Sequence, residues 1–221
     1  MSSALYVLAH RACLYGPGSV RENSRSALAT AVEKGFGVEF DVRCDDGGRL
    51  TLAHDPEPWA EEIDAESFLR EPGPGLHALN VKSLDALCPL LRVIERAGTA
   101  RSFFLFDFEL LGAGADEMAK VQRRGFRVAH RLSDREPHLR RLVDDPTVTD
   151  VWLDEFDSPW VRDEHVHALT AAGKRTFYVS PELHRRQPVQ HVAPRWDEVL
   201  AWGVDGICTD FPIHLRERSS R

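Results

Sequence analysis

Eight short apolar runs, separated by helix-like stretches, constrain the fold more than any other feature of the sequence. They occupy 5–9, 37–42, 77–81, 103–107, 127–131, 150–154, 175–179 and 206–209. Most are nearly continuous in apolar character, as parallel strands buried on both faces are. Helical patterns fall between them at 24–34, 84–97, 114–124, 136–144, 160–172 and 195–202. The first opens at an Asn23 or Ser24 cap, and the second carries Leu84, Leu87, Leu91 and Ile94 on one stripe. Gly35, Gly98, Gly125, Gly173 and Gly203 stand where these helices should end in left-handed caps. After the second run, Asp45-Asp46-Gly47-Gly48 and then 49–53 read as a turn and a short extra strand. Eight βα units in 221 residues predict an α/β chain folded as one (β/α)8 barrel domain over 1–221, near the lower size limit of that fold. A doubly wound open sheet competes, but no GxGxxG follows the first run.

The composition removes several classes of function. With 43% hydrophobic residues the chain can bury a large core, yet no run approaches the ~18 apolar residues of a membrane span. The opening segment lacks the basic region and long apolar run of a secretory signal. A net charge of -7 opposes nucleic-acid binding, and the arginine-rich tail after Leu215 reads as a frayed end. Cys13, Cys44, Cys88 and Cys208 are scattered without a CxxC pair, which fits a reducing cytoplasm and neither zinc nor a disulfide framework.

Barrel enzymes assemble their sites at the C-terminal ends of the strands. In order, those ends carry His10-Arg11, Glu39 and Asp41, Asn80 and Lys82, Asp107 and Glu109, Arg131 and Ser133, Asp154-Glu155, Glu182 with His184, and Thr209-Asp210. Side chains alternate along a strand, so Glu39 and Asp41 share a face, as do Asn80 and Lys82. Two stacked carboxylates repel unless a cation lies between them, and a hard divalent ion with oxygen ligands is the simplest such cation. A lone Glu-x-Asp is commonly just solvated or salt-bridged, and a lone loop histidine such as His54 carries little weight. Their coincidence carries more.

Five motifs together resemble the glycerophosphodiester phosphodiesterase family: His10-Arg11, Glu22-Asn23-Ser24, Glu39-Phe40-Asp41, His54-Asp55 and the closing stretch from Asp205 to Pro212. They lie in the family's order and span nearly the whole chain. The resemblance implies a barrel that hydrolyses a small phosphodiester with Mg²⁺ or Ca²⁺. It implies His10 and His54 as the acid/base pair, Glu39 and Asp41 on the metal, and Arg11 and Lys82 on phosphate oxygens. Independently, phosphodiester cleavage needs neutralised oxygens, a base for the nucleophile and an acid for the leaving group.

Three departures set this chain apart. Asn80 stands where the family has a third metal-binding glutamate, so the metal site would be Glu39, Asp41 and Asn80, with lower affinity. Ala12 replaces the glycine after His-Arg, and the segment 55–76 is too short for a substantial cap. Asp107 and Asp154 are candidate substitute ligands. Ser133 and His184 read as rim or capping residues, and Trp152 and Trp160 as packing. His130, His165 and His191 carry no motif. Two other readings stay open: a lyase releasing a cyclic phosphate, and a phosphate- or sugar-phosphate-binding barrel with little turnover.

Overall fold

The computed structural model describes residues 5–112 and 115–220. Among these residues nine strands form: β1 (Tyr6–His10), β2 (Gly37–Cys44), β3 (Leu50–Leu52), β4 (His77–Val81), β5 (Phe103–Phe106), β6 (Arg127–Ser133), β7 (Asp150–Asp154), β8 (Arg175–Val179) and β9 (Gly206–Thr209). Eight are parallel, and pairing of β1 with β2 closes them into a barrel. The ninth, β3, runs antiparallel along β2 with Val42 opposite Leu52. It is the short extra strand expected after the Asp-Gly turn.

Among the described residues nine α-helices follow the strands: α1 (Arg25–Glu33), α2 (Ala65–Arg70), α3 (Leu84–Ala97), α4 (Ala115–Arg123), α5 (Leu139–Asp144), α6 (Asp163–Ala171), α7 (Glu182–Arg185), α8 (Val189–Trp202) and α9 (Pro212–Ser219). The expected start of the fourth strand's helix at 114 lies outside the described residues. Gly98 and Gly203 end α3 and α8 with φ of 73° and 83°, and the other three expected cap glycines also have positive φ. Several regions differ from the sequence reading: α7 is additional, α8 begins at Val189 and not at 195, and the tail and the segment 55–76 are built differently. The tail after Leu215 is helical to Ser219. Arg218 forks onto Asp197, and Arg216 lies over the Phe36 ring while donating to the Lys34 carbonyl. The segment 55–76 contains α2, capped by Asp64, whose Phe68 and Leu69 join Ile63 in the core. It is therefore part of the barrel wall. No helix among the described residues is long and apolar enough to cross a membrane.

Strand alternation decides what fills the barrel. Val38, Phe40 and Val42 of β2 turn outward under the helices, which leaves Glu39 and Asp41 inward. Inward residues of the other strands stack as an apolar plug of Leu8, Ala78, Phe104, Phe106, Ala129, Trp152, Phe177 and Cys208. Its rings interlock, with Phe104 and Phe177 centred 4.6 Å apart and Phe106 and Trp152 4.4 Å apart. At the N-terminal end, buried Asp150 receives Arg127 at 3.0 Å and Arg175 at 2.7 Å. The plug blocks the axis, so the next inward residues toward the C-terminal end surround a cavity.

Candidate active site

That cavity has a volume of about 270 Å³ and is lined by His10, Arg11, Glu39, Asp41, His54, Asn80 and Lys82, together with residues of β5 to β8. All seven sequence-predicted site residues thus meet at one place. Register accounts for much of this, since His10 pairs with Glu39 across β1–β2 and Asp41 with Asn80 across β2–β4. A larger cavity of about 780 Å³ opens at the opposite end. Its charged lining residues among those described are Asp205 and Arg216 alone, so it offers no acid/base pair.

The motif Glu22-Asn23-Ser24 divides three tasks. Glu22 accepts from Arg11 at 3.2 Å. Asn23, in the left-handed region at φ 54°, donates to Asp41 Oδ2 at 2.8 Å and accepts the Asp41 backbone N–H at 3.0 Å. Ser24 caps α1. The loop therefore anchors the metal-candidate carboxylate. Arg11 and Ala12 also have positive φ, 46° and 61°. The second value explains why a glycine suits that position, because a β-carbon is strained there.

His10 Nδ1 lies 2.8 Å from Asp210 Oδ1, so the Asp210 carboxyl oxygen accepts from Nδ1–H and leaves Nε2 toward Glu39, 3.9 Å away. Burial works against the His10 cation, but the Asp210 hydrogen bond and the charges of Glu39 and Asp210 outweigh it and raise its pKa. Asp210 is itself set by Glu182, which is buried and accepts from the Asp210 N–H at 3.1 Å and from the Thr209 hydroxyl. Neither role was legible from spacing, although Thr209-Asp210 belongs to the closing motif. His54 is more open, with Nδ1 3.1 Å from Asp55 and its carbonyl held by Arg43 at 2.9 Å.

Burial, followed by the charge of Asp41, pushes the Glu39 carboxyl up to about 7. Asp41 is better compensated, with Arg11 Nε at 3.3 Å and Lys82 Nζ at 3.7 Å. Among the described residues no three histidine, cysteine or carboxylate side chains form a metal-binding cluster. The donor set is completed only by Asn80, whose Oδ1 is buried without a hydrogen-bond partner among the described residues. An orphaned amide oxygen on the residue paired with Asp41, in the cavity that Glu39 also lines, fits a hard cation, with less charge than three carboxylates would supply.

On the other side of the cavity, Arg131 is clamped between Asp107 and Asp154, and His184 Nε2 donates to Asp154 at 2.6 Å. The guanidinium pairs with both aspartates and offsets their charge. Ser133 does cap the following turn, accepting from Arg135 and Glu136 N–H groups. Trp160 stacks on His165 away from the site, whereas Trp152 is both plug and cavity floor.

No family model matches the chain. The sequence is 25% identical to a glycerophosphodiester phosphodiesterase of Bacillus altitudinis, with 96% of this chain and 98% of that protein covered. The fold is shared with a glycerophosphoryl diester phosphodiesterase of Parabacteroides distasonis, at a TM-score of 0.71 and 15% identity over 99% of this chain and 87% of that one. It is also shared with an Oleispira antarctica phosphodiesterase solved with its product sn-glycerol-3-phosphate, at a TM-score of 0.68 and 13% identity over 98% and 97% of the two chains. The sequence relationship runs nearly the length of both proteins, and His10, Arg11, Glu39, Asp41 and His54 of the motifs converge in one cavity at the strand ends. Over nearly its whole length the chain is similar in sequence to a glycerophosphodiester phosphodiesterase and shares the fold of several such enzymes.

Proposed function

We propose that the protein is a phosphoric diester hydrolase acting on a glycerophosphodiester or a related small phosphodiester. The observation that carries this reading is the single cavity that brings His10, His54, Glu39, Asp41, Arg11 and Lys82 together. Arg11 and Lys82 offset charge on the non-bridging oxygens of the phosphate. His10, its Nδ1 proton fixed by Asp210, presents Nε2 as a base to the attacking hydroxyl. His54, at the solvent-facing rim, returns a proton to the departing alcohol. A Mg²⁺ or Ca²⁺ ion held by Glu39, Asp41 and the Asn80 amide oxygen would add positive charge beside the same oxygens.

The test is incubation with glycerophosphodiesters, with and without chelator, followed by phosphorus NMR. A phosphomonoester product supports the hydrolase, and a cyclic phosphate would instead make the protein a lyase. A second reading, a phosphate-binding barrel without turnover, draws on the neutral Asn80 and on the engagement of Asp41 by two cations. Retention of phosphate ligands with no product from any diester would favour it.

A further inference from the structure

Glu182 is 1% exposed, and no cation pairs with it among the described residues. Its partners are the Ser180 hydroxyl, the Thr209 hydroxyl and the Asp210 N–H, the last at 3.1 Å. Each hydroxyl already accepts a hydrogen bond, Ser180 from Trp196 Nε1 at 2.7 Å and Thr209 from the Phe211 N–H at 3.0 Å. Their own protons are therefore left for Glu182, which suits a carboxylate receiving three donors. A buried charge held in this way demands fixed partners, and a fully satisfied polar network is rigid. The contacts run without a break from fully buried Trp196 on α8, through Ser180 and Glu182, to Asp210 and the His10 ring.

We propose that Glu182 is a positioning residue for the reaction: by holding the Asp210 backbone it fixes the carboxyl against which the His10 ring is set. The inference rests on the reading of His10 as the base. Glu182 lies behind the cavity wall and not among its lining residues, so it acts on the chemistry through Asp210. The Asp210 carbonyl takes the Gly16 N–H at 2.9 Å, and Glu182 supplies the anchor on the N–H side. His10 Nδ1 meets Asp210 Oδ1 at 2.8 Å, and a carboxyl free to drift would carry the ring, and Nε2 with it, away from the attacking hydroxyl. Displacement of a reacting group by about 1 Å costs on the order of 10²-fold in rate. The other side chains of α7 have anchors of their own, His184 on Asp154 at 2.6 Å and Arg185 beside Glu155 at 3.7 Å. Loss of the Glu182 carboxylate therefore leaves the helix attached and falls on Asp210.

The experiment compares Glu182→Ala and Glu182→Gln with the wild-type protein on one glycerophosphodiester. Glu182→Ala should lower kcat roughly 10- to 100-fold, with KM within about twofold of wild type. Glu182→Gln keeps an oxygen for the Asp210 N–H and should restore most of kcat. A second readout needs no turnover. In chelator, the proton signal of His10 Nδ1–H, identified by its absence in His10→Ala, should be seen in wild type and in Glu182→Gln. In Glu182→Ala it should broaden or vanish as the proton exchanges with water. If Glu182→Ala fails to fold, Glu182→Asp, one methylene shorter, takes its place with the same expectations. An unmoved signal or an undiminished kcat in the folded variant overturns the proposal, as does a rise in KM at constant kcat. Equal losses in Glu182→Gln and Glu182→Ala overturn it too, because charge and not position would then be at work. If the wild-type protein cleaves no diester, it is the phosphodiesterase reading that fails. The Nδ1–H signal then decides alone whether Glu182 positions His10.

Discussion

At the scale of single residues, the site is a set of partners brought together from distant parts of the sequence. His10 and Asp210 are separated by 200 positions, yet their contact gives the histidine its tautomer and its raised pKa. His10→Ala and His54→Ala should each lose roughly 10²–10⁴-fold in turnover, with the double variant losing far less than the product. Asp210→Asn should be milder but more informative. It removes the charge of Asp210 and weakens its hydrogen bond while leaving Glu39 and the opposing burial, so the limb of the pH–rate profile belonging to His10 should move to lower pH. An unmoved limb would show that His10 is not the group titrating. Asn80 offers a second check. Asn80→Glu adds a third carboxylate beside Glu39 and Asp41, so calorimetry should show tighter Mg²⁺ and Ca²⁺ binding, and thermal melting in chelator should show lower stability. Equal or weaker binding would place Asn80 outside the ion's ligand set. The motif residues were readable because the chemistry fixes their types. The contacts that orient them, Asn23 on Asp41 and Glu182 and Asp210 behind His10, are not readable, because contact across the barrel leaves no trace in local spacing.

At the scale of elements, the strands were legible and several helices were not, for a physical reason. A parallel strand covered on both faces must be apolar throughout, which marks it in any sequence. The helices α2, α7 and α9 are short, charged or begin beside proline, and tertiary contacts rather than periodicity hold them. The tail shows this most directly, since its arginines are paired by Asp197 and the Lys34 carbonyl. The start of β4 carries a testable consequence of burial. His77 is fully buried, accepts the Val38 N–H at 3.2 Å through Nδ1, and is pushed down to about 4 by desolvation. Its folded pKa lies below the ordinary 6.5, so unfolded chains take up a proton first as pH falls. Stability from this group is therefore full above about 6.5 and is lost on going down toward 4, by about 3 kcal/mol at most. Urea titrations at several pH values should show wild type losing more stability across this window than His77→Gln. Parallel curves would mean that the buried ring is not what acid attacks.

At the scale of the whole molecule, the apolar plug separates two polar ends with opposite energetic character. At the N-terminal end Asp150 is matched by Arg127 and Arg175, and the cluster seals the barrel. At the C-terminal end Glu39 is buried beside Asp41 with too little compensation, so its pKa rises from 4.5 to about 7. The sign of the linkage follows from that direction. Between those values the folded protein holds a proton that the unfolded chain has released, so the stabilisation is full below 4.5 and disappears as pH rises through 7. Glutamine in place of Glu39 keeps an acceptor for the Arg11 N–H and never ionises. In chelator at pH 8, Glu39→Gln should therefore be about 1–3 kcal/mol more stable than wild type, with the gain gone near pH 4.5. It should also be nearly inactive on phosphodiesters and weaker in divalent binding. Asp150→Ala should behave in the reverse way, losing about 1–3 kcal/mol while kcat at 25 °C stays unchanged. Arg127 and Arg175 are part exposed and can reach solvent, which keeps that loss moderate. Melting curves and rates for the two variants decide the matter together. If Glu39→Gln destabilised the protein at pH 8, the carboxylate would be a structural group, and the functional strain assigned to the C-terminal end would have no support.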